Sequence, residues 1–181
     1  MINTEIKEMY NRWIEKAGSY NETELSDSFD KFFTLFVAYN ILYIETTKIL
    51  VSEGKARLNS YGGVPDSEGA TKNVVKYLDN TFLSRKLLED PQITKAIVDL
   101  NSVISSKFYI KDTEWDRKRM DAINSNQDNR VAKAILELIY GVRCNMFHGS
   151  KEFIQMQKEI LNPCIIILEK VNKLLFDKLT N

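Results

Sequence analysis

Apolar residues recur every three or four positions along most of this chain, which is the spacing of amphipathic α-helices. The pattern predicts a first helix from Thr4 to Ala17, which Gly18 ends, and a loop from Asn21 to Ser28. The helix that follows is predicted to be the longest in the chain. Its expected buried stripe is Phe29, Phe32, Phe33, Phe36, Val37, Ile41 and Ile44.

The helical pattern is interrupted by the run Gly62-Gly63-Val64-Pro65-Asp66, which predicts a loop. Paired glycines can cradle a phosphate, but no Gly-x4-Gly-Lys-Ser/Thr pattern follows, so an ordinary loop is the better interpretation. A single shorter helix is predicted from Glu68 or Ala70 to about Leu88. Pro91 suits the first turn of the next helix.

The stretch from Ser105 to Asn129 has the least regular pattern. Arg117, Lys118 and Arg119 lie beside Trp115 and Tyr109, and cations next to aromatic rings are typical of nucleic-acid contacts. Acidic residues are interleaved with these cations, however, which favours a solvated surface helix held by salt bridges. Both interpretations remain open at this point.

After this stretch the sequence predicts another strongly amphipathic helix, with Asp128 or Asn129 as its N-terminal cap. Its predicted core stripe is Val131, Ala134, Ile135, Leu138, Val142 and Met146. The last helix is predicted from about Glu152 to Leu179, and Asn162-Pro163 should bend or split it. The pattern as a whole predicts an all-α, single-domain helical bundle over residues 1–181, with two long helices and several shorter ones.

Composition narrows the function without identifying it. Lys and Arg total 25 and Asp and Glu total 25, so bulk charge cannot hold a nucleic acid, and any such contact must be local. Cys144 and Cys164 are expected to be buried free thiols in a reducing compartment, which is favoured over a disulfide between them. A single histidine cannot complete a Cys/His metal cluster. We therefore expect no metal and no cofactor.

Location is predicted from what the sequence lacks. The N-terminus has no apolar signal core. The most apolar run, Phe29 to Leu50, is interrupted by Asp30, Lys31, Asn40 and Glu45, so we do not expect it to span a membrane. The expected location is the cytoplasm.

The candidate chemistry lies at the end of the amphipathic helix predicted after Asn129. His148 is the only histidine, and Arg143 precedes it by five positions. An imidazole gives or takes a proton near neutral pH, and a guanidinium grips a phosphate with two hydrogen bonds. Held together, the two groups are the minimum needed to break a phosphodiester without a metal.

This Arg-x4-His spacing, with Gly149 after the histidine, resembles the HEPN superfamily of small all-helical domains, many of which are ribonucleases. The family often has a polar residue directly after the arginine. Here Cys144 occupies that place and Asn145 follows it. The resemblance implies RNA as substrate, attack by the ribose 2′-hydroxyl, and a role as a toxin or in anti-phage defence with an antitoxin or regulatory partner.

Helix geometry sets a condition on this chemistry. Five residues place Arg143 and His148 about 140° apart around a straight helix and about 7.5 Å apart along it. Either His148 lies in a last turn loosened by Gly149, or two copies of the helix meet across a two-fold axis, with Gly141 allowing close approach. HEPN nucleases typically act as dimers with the motif at the interface, so the resemblance implies a homodimer through the segment from Arg143 to His148.

Asn145 and Asn40 are the candidate supporting residues. Asn40 falls on the apolar stripe of the longest helix, one position before Ile41, where a buried amide needs a hydrogen-bond partner. It either ties two helices together or helps to hold the Arg/His pair or the substrate. Two other functions stay open for the chain: a catalytically inactive HEPN-type module that binds a nucleotide or a protein, and a plain helical adaptor. A buried salt bridge at the motif would favour the module, and a large exposed apolar patch would favour the adaptor.

Overall fold

The computed structural model describes residues 2–105, 113–125, 130–147 and 157–181. Regular structure in these ranges is entirely helical, so the predicted all-α fold is confirmed. The elements are α1 (Thr4–Gly18), α2 (Leu25–Ser52), α3 (Asp66–Glu68), the π-helical turn π1 (Gly69–Asn73), α4 (Val74–Leu78), α5 (Asn80–Leu88), α6 (Pro91–Ser105), α7 (Thr113–Asn124), α8 (Val131–Phe147) and α9 (Gln157–Thr180). The two long helices are α2 and α9.

Helix α2 is the centre of the packing. It lies against α1 and α9, while α6 packs on α9, and α8 packs on α5 and α7. One buried hydrophobic cluster runs through these helices. The fully buried Asn172 of α9 donates a hydrogen bond of 3.2 Å to the backbone oxygen of Leu35, which fixes α9 against α2.

The buried face of α2 is wider than the predicted stripe. Val37 is 37% exposed although the stripe included it, whereas Leu35, Tyr39 and Leu42 are buried. The reason is that α1 and α9 cover α2 from different directions, so one stripe of a 3.6-residue period is not enough. The helix also begins at Leu25, inside the predicted loop.

Helix α2 is long and apolar enough to cross a membrane by length and composition alone. Its most apolar window is 56% buried against the rest of the protein, however, as is common for the core helix of a soluble domain. The polar residues within α2 therefore do not by themselves exclude a membrane-spanning helix. The evidence against a membrane-spanning helix is the burial of α2 inside the protein.

The single helix predicted up to Leu88 is wrong. The chain forms α3, π1, α4 and α5 in succession, and α4 ends at Leu78 because the next residue, Asp79, has a φ of 76° that a right-handed helix cannot contain. The carboxylate of Asp79 accepts a hydrogen bond of 2.9 Å from the backbone nitrogen of Phe82 and so starts α5. A capping aspartate in an unusual conformation thus divides a continuous apolar pattern.

The later helices follow the prediction more closely. Helix α6 begins at Pro91 as expected, and α9 continues through Pro163 without being split. On α7, Lys118 pairs with Glu114 at 2.7 Å and Arg119 with Asp116 at 2.8 Å, which supports the salt-bridged surface helix. The predicted caps at Asp128 and Asn129, the residue Tyr109 and the predicted start of the last helix lie outside the described residues.

Candidate functional site

Helix α8 carries Arg143, the first residue of the Arg-x4-His motif, and its packing determines which side of the helix stays near the surface. The predicted core stripe is buried at Val131, Ala134, Ile135, Leu138 and Val142. Tyr140, Arg143 and Cys144 lie beside that stripe at positions i, i+3 and i+4, so they share one side of the helix. All three are half-buried, and the first two reach the segment that precedes π1.

The carboxylate of Asp66, at the start of α3, is the point where three side chains meet. The hydroxyl of Tyr43, from α2, donates to Oδ1 of Asp66. The hydroxyl of Tyr140 donates to Oδ2 at 2.9 Å, and Nη1 of Arg143 lies 3.5 Å from the same oxygen. We call Tyr43, Asp66, Tyr140 and Arg143 the Asp66 cluster; it joins α2, α3 and α8.

Arg143 is held from two further directions. Its guanidinium carbon lies 5.4 Å from the ring centroid of Phe36 on α2, a distance at which a cation is attracted to an aromatic face. Its Nη1 lies 3.9 Å from Sγ of Cys144. The side chain is still 28% exposed and that of Asp66 is 46% exposed, so a ligand in solvent can reach this ion pair.

Both phenols of the Asp66 cluster have raised pKa values. For Tyr43, burial raises the pKa most, the hydrogen bond and charge of Asp66 raise it further, and the charge of Arg143 partly offsets the rise. For Tyr140, burial is again the largest cause and the hydrogen bond to Asp66 the next. The two hydroxyls therefore keep their protons at neutral pH and act as donors to Asp66.

The π-helical turn fixes Asp66 against α2. A Cβ on Gly69 would lie 2.9 Å from Cδ2 of Tyr43 and 2.9 Å from Cγ1 of Val64, so only glycine fits there. The hydroxyl of Tyr39 donates to the backbone oxygen of Ala70 inside the turn. Single π-helical turns are rare and are found frequently at functional sites.

The predicted site residues differ in where they lie relative to the Asp66 cluster. Arg143 belongs to the Asp66 cluster. Asn40 is half-buried on α2 between Phe36 and Tyr43, four residues after one and three before the other, so helical spacing puts it on the side of α2 that faces Arg143. Asn145 is half-buried two residues beyond Arg143, about 200° around the axis, and so lies on another side of α8. His148 lies outside the described residues.

Sequence reasoning missed Asp66, Tyr43 and Tyr140. A signal for the tyrosines was present, because Tyr39 and Tyr43 lie one turn apart on an apolar helix and a buried phenol needs a hydrogen-bond partner. The hydrogen-bond acceptor was not recognised, because it belongs to the Gly-Gly-Val-Pro-Asp run that was interpreted as an ordinary loop. Its last residue is the acceptor on which the cluster depends.

Two clefts lie between other helices of the described residues. A cleft of about 430 Å³ is formed by α6 and the first turns of α9, and one of about 440 Å³ by α1, α2 and α9. The lining of these two clefts does not include the Asp66 cluster. Among the residues that the structure describes, no group of three or more His, Cys, Asp or Glu side chains could hold a metal ion.

These features define the protein as an all-α domain in which an aspartate and two tyrosines hold a partly exposed arginine near the end of a helix. Comparison of the chain with protein-family models, with curated proteins and with solved structures finds no match.

Proposed function

We propose that the protein is a metal-independent endoribonuclease of the HEPN type, with Arg143 and His148 as its catalytic residues. The observation that carries this proposal is the setting of Arg143. Its guanidinium is oriented by Asp66 and by the ring of Phe36, yet more than a quarter of the side chain is exposed. A fixed, accessible guanidinium is suited to binding a phosphate and stabilising the charge that grows on it.

The reaction begins when the ribose 2′-hydroxyl attacks the adjacent phosphorus. A new O2′–P bond forms and the P–O5′ bond breaks, which leaves a 2′,3′-cyclic phosphate and a free 5′-hydroxyl. His148 moves the proton, as base for the 2′-hydroxyl or as acid for the leaving 5′-oxygen. Arg143 stabilises the negative charge on the phosphoryl oxygens.

The side chain of Arg143 turns toward Cys144, with its Nη1 3.9 Å from Sγ of that residue. On an ideal helix, positions four residues apart lie about 40° apart around the axis, so position 148 is nearer in angle to position 144 than to position 143. We propose that the turn of the Arg143 side chain reduces the separation of about 140° that ideal helical positions give for Arg143 and His148.

The proposal includes a homodimer through the segment from Arg143 to His148, with RNA as the substrate. Gly141 is not the contact that permits it, because Nη1 of Arg119 already lies 3.8 Å from the place where a Cβ on Gly141 would be. Close approach of two α8 helices would have to occur on the Arg143 side, away from α7. Asn40 and Asn145 are proposed to support the pair or the substrate, and of these Asn40 has the better position.

The biological role follows from the resemblance alone. By that analogy we infer a toxin or anti-phage defence protein that an antitoxin or another regulatory protein controls, and we propose that it acts in the cytoplasm, as the sequence predicts. Neither a metal nor a cofactor is part of the proposed chemistry.

The second candidate is a catalytically inactive HEPN-type module that binds a nucleotide or a protein. The ion pair between Arg143 and Asp66 favours it, because an arginine that already has a carboxylate partner can act as a structural tie. An adaptor has less support, since the exposed large apolar side chains among the described residues are spread over α1, α2, the loop before α3, α6, α7 and α9. They are Met9, Val37, Leu58, Tyr61, Val98, Trp115 and Ile166.

Cleavage of labelled single-stranded RNA tests the proposal. We expect wild-type protein to yield ends with 2′,3′-cyclic phosphates, and we expect Arg143→Ala and His148→Ala each to abolish cleavage while circular dichroism stays unchanged. EDTA should have no effect, and DNA should resist because it lacks the attacking hydroxyl. The matched control is Arg12→Ala, which removes an exposed arginine from α1 and should cleave normally.

Three results would refute the nuclease. They are cleavage that persists in His148→Ala, cleavage that requires magnesium, and ends that carry no cyclic phosphate. A wild-type protein that binds RNA or nucleotide but leaves every RNA intact is the result expected of the inactive module. Light scattering tests the dimer separately, and a monomer at micromolar concentration would contradict it.

A further inference from the structure

The loop between α2 and α3, residues 53–65, is hydrogen bonded along its length. The backbone nitrogen of Lys55 donates to the oxygen of Leu50 at 2.7 Å, and the nitrogen of Asn59 donates to the oxygen of Gly63 at 2.8 Å. Nζ of Lys76 also donates to the backbone oxygen of Lys55 at 2.7 Å. These bonds hold the loop in a defined shape against α2 and α4.

The tip of this loop is a tight turn built around Asn59. Oδ1 of Asn59 accepts hydrogen bonds from the backbone nitrogens of Tyr61 at 3.0 Å and Gly63 at 2.8 Å. Gly62 has a φ of 76°, a conformation that favours glycine, and a Cβ on Gly63 would lie 3.2 Å from Nδ2 of Asn59. The residue types of the tip are therefore those that the turn requires, with the exception of Tyr61.

Tyr61 has no packing role in this turn, because 95% of its surface is exposed. Tyr10, Tyr39 and Tyr43 are all buried. An aromatic ring held out in water by an ordered turn is an arrangement suited to stacking, since every nucleobase offers a flat π-face. Arg57 is exposed in the same loop and supplies a cation four residues before Tyr61 in the sequence.

The loop leads directly into the Asp66 cluster. Tyr61 precedes Asp66 by five residues, so their Cα atoms are at most about 18 Å apart. A strand of a few nucleotides covers such a span. A base on Tyr61 and a phosphate at Arg143 can thus belong to one short piece of single-stranded RNA.

We infer that the loop of residues 53–65 is an RNA-binding arm of the proposed nuclease site, in which Tyr61 stacks on an unpaired base and Arg57 contacts a backbone phosphate. This inference rests on the proposed function for its substrate class. A protein partner is less well matched, because Leu58 and Tyr61 are the only exposed large apolar side chains of this described loop. Because positive and negative charges balance over the whole chain, bulk electrostatic attraction supplies little affinity for RNA. Local contacts such as base stacking must then supply it.

Fluorescence anisotropy with a fully 2′-O-methylated oligomer of about 12 nucleotides tests the arm, since this length lies within known single-strand site sizes. The methylated RNA lacks the attacking hydroxyl, so wild-type protein can be used. We expect Tyr61→Ala to weaken binding about 5- to 150-fold, the range for losing one stacked base, and Tyr61→Phe to bind nearly as wild type. Val98→Ala is the control, because it removes an exposed apolar side chain, 62% exposed, from α6 and should not change binding.

Salt dependence tests the role of Arg57. Losing one phosphate contact to a single strand should make the slope of log K against log salt shallower by about 0.7, so Arg57→Ala should show that change and Tyr61→Ala should not. An unchanged slope in Arg57→Ala would remove Arg57 from the arm.

Different results would overturn the proposed RNA-binding arm and the proposed nuclease activity. Equal affinity of wild type and Tyr61→Ala, or no affinity in either, overturns the arm, whatever the cleavage assay gives. Binding that depends on Tyr61 in a protein that cleaves no RNA supports the arm and overturns the nuclease. A change in oligomeric state of Tyr61→Ala without a change in RNA affinity overturns the arm and assigns Tyr61 to a protein contact.

Discussion

The hydroxyl of Tyr140 donates a hydrogen bond of 2.9 Å to Oδ2 of Asp66, across 74 positions of sequence. This bond connects the motif helix α8 to the start of α3, and Tyr43 connects the same carboxylate to α2. The position of Arg143 therefore depends on three helices that meet at one side chain. A change at Asp66 should be felt at Arg143 and at both phenols.

Asp66→Asn tests this dependence through the tyrosines. The substitution removes the negative charge, so the pKa values of Tyr43 and Tyr140 should fall, but they should stay above the ordinary value because burial, the largest cause of the rise, remains. Tyrosinate absorbance between about pH 9 and pH 12 measures the change, relative to an ordinary pKa near 10. RNA cleavage should also fall, by up to about 100-fold, since Arg143 is less well placed.

Asp27→Asn is the control for that titration, because it neutralises an acid near the start of α2 and leaves the Asp66 cluster intact. Identical tyrosine titration curves for Asp66→Asn and wild type would contradict the bonding that we describe.

Stability should decrease in alkaline solution. The pKa values of Tyr10, Tyr39, Tyr43 and Tyr140 are raised in the folded protein, chiefly by burial. Above about pH 10 the unfolded chain releases these protons while the folded chain keeps them, so the free energy of unfolding should fall as pH rises from there. Below that pH these tyrosines should give no pH dependence.

Urea denaturation at several pH values measures this fall. Tyr43→Phe removes one of the four groups and should make the decline shallower than in wild type. A free energy of unfolding that stays constant from pH 9 to about pH 11 would contradict the prediction.

Gly69→Ala should destabilise the fold by about 1 to 3 kcal/mol, the usual range for overpacking. The new methyl group would meet the ring of Tyr43, which is buried and cannot move away, and the side chain of Val64. Chemical denaturation measures the loss. Gly18→Ala is the matched control, because nothing lies within 4 Å of the added Cβ, and it should be neutral or slightly stabilising. Equal stability of the two variants would show that π1 can shift at no cost.

Asp90 should contribute to the stability of the fold through two contacts that can be measured separately. Its Oδ1 accepts from the backbone nitrogen of Gln92 at 3.1 Å, which caps α6, and its Oδ2 lies 2.8 Å from Nζ of Lys170 on α9. We expect stability in the order wild type, Asp90→Asn, Asp90→Ala, because asparagine keeps the cap and alanine keeps neither contact. Thermal unfolding at pH 7 measures this order.

The advantage of wild type over Asp90→Asn should depend on pH. The hydrogen bond from Lys170 is the largest cause that lowers the pKa of Asp90, so the advantage is complete above the ordinary aspartate value, near 4, and is lost as the pH falls below it. An advantage that is unchanged at pH 3 would rule out the ion pair as its origin.

The sequence was informative where a local rule applied. Helical spacing predicted the fold class, the start of α6 at Pro91 and the core stripe of α8, because amphipathic periodicity and proline at a first turn are properties of neighbouring residues. The same local reasoning selected Arg143, whose spacing from the only histidine is visible in the chain.

Contacts between residues that are distant in sequence could not be predicted from local patterns. Asp66 accepts from phenols that are 23 and 74 positions away, and no pattern within a window of sequence contains either pair. The break at Asp79 depends on one backbone angle that an aspartate adopts only rarely. The width of the α2 face depends on two helices that cover it, one from each end of the chain.

The packing of α2 against α9 also constrains the order in which the chain can fold during synthesis. About 100 residues separate the end of α2 from the start of α9, so a ribosome working at about 5 to 20 residues per second needs roughly 5 to 20 s between them. During that interval a long helix with the composition of a membrane span has only α1 and the segments just made to cover it. We expect the exposed apolar face of α2 to bind chaperones that recognise apolar segments until α9 docks.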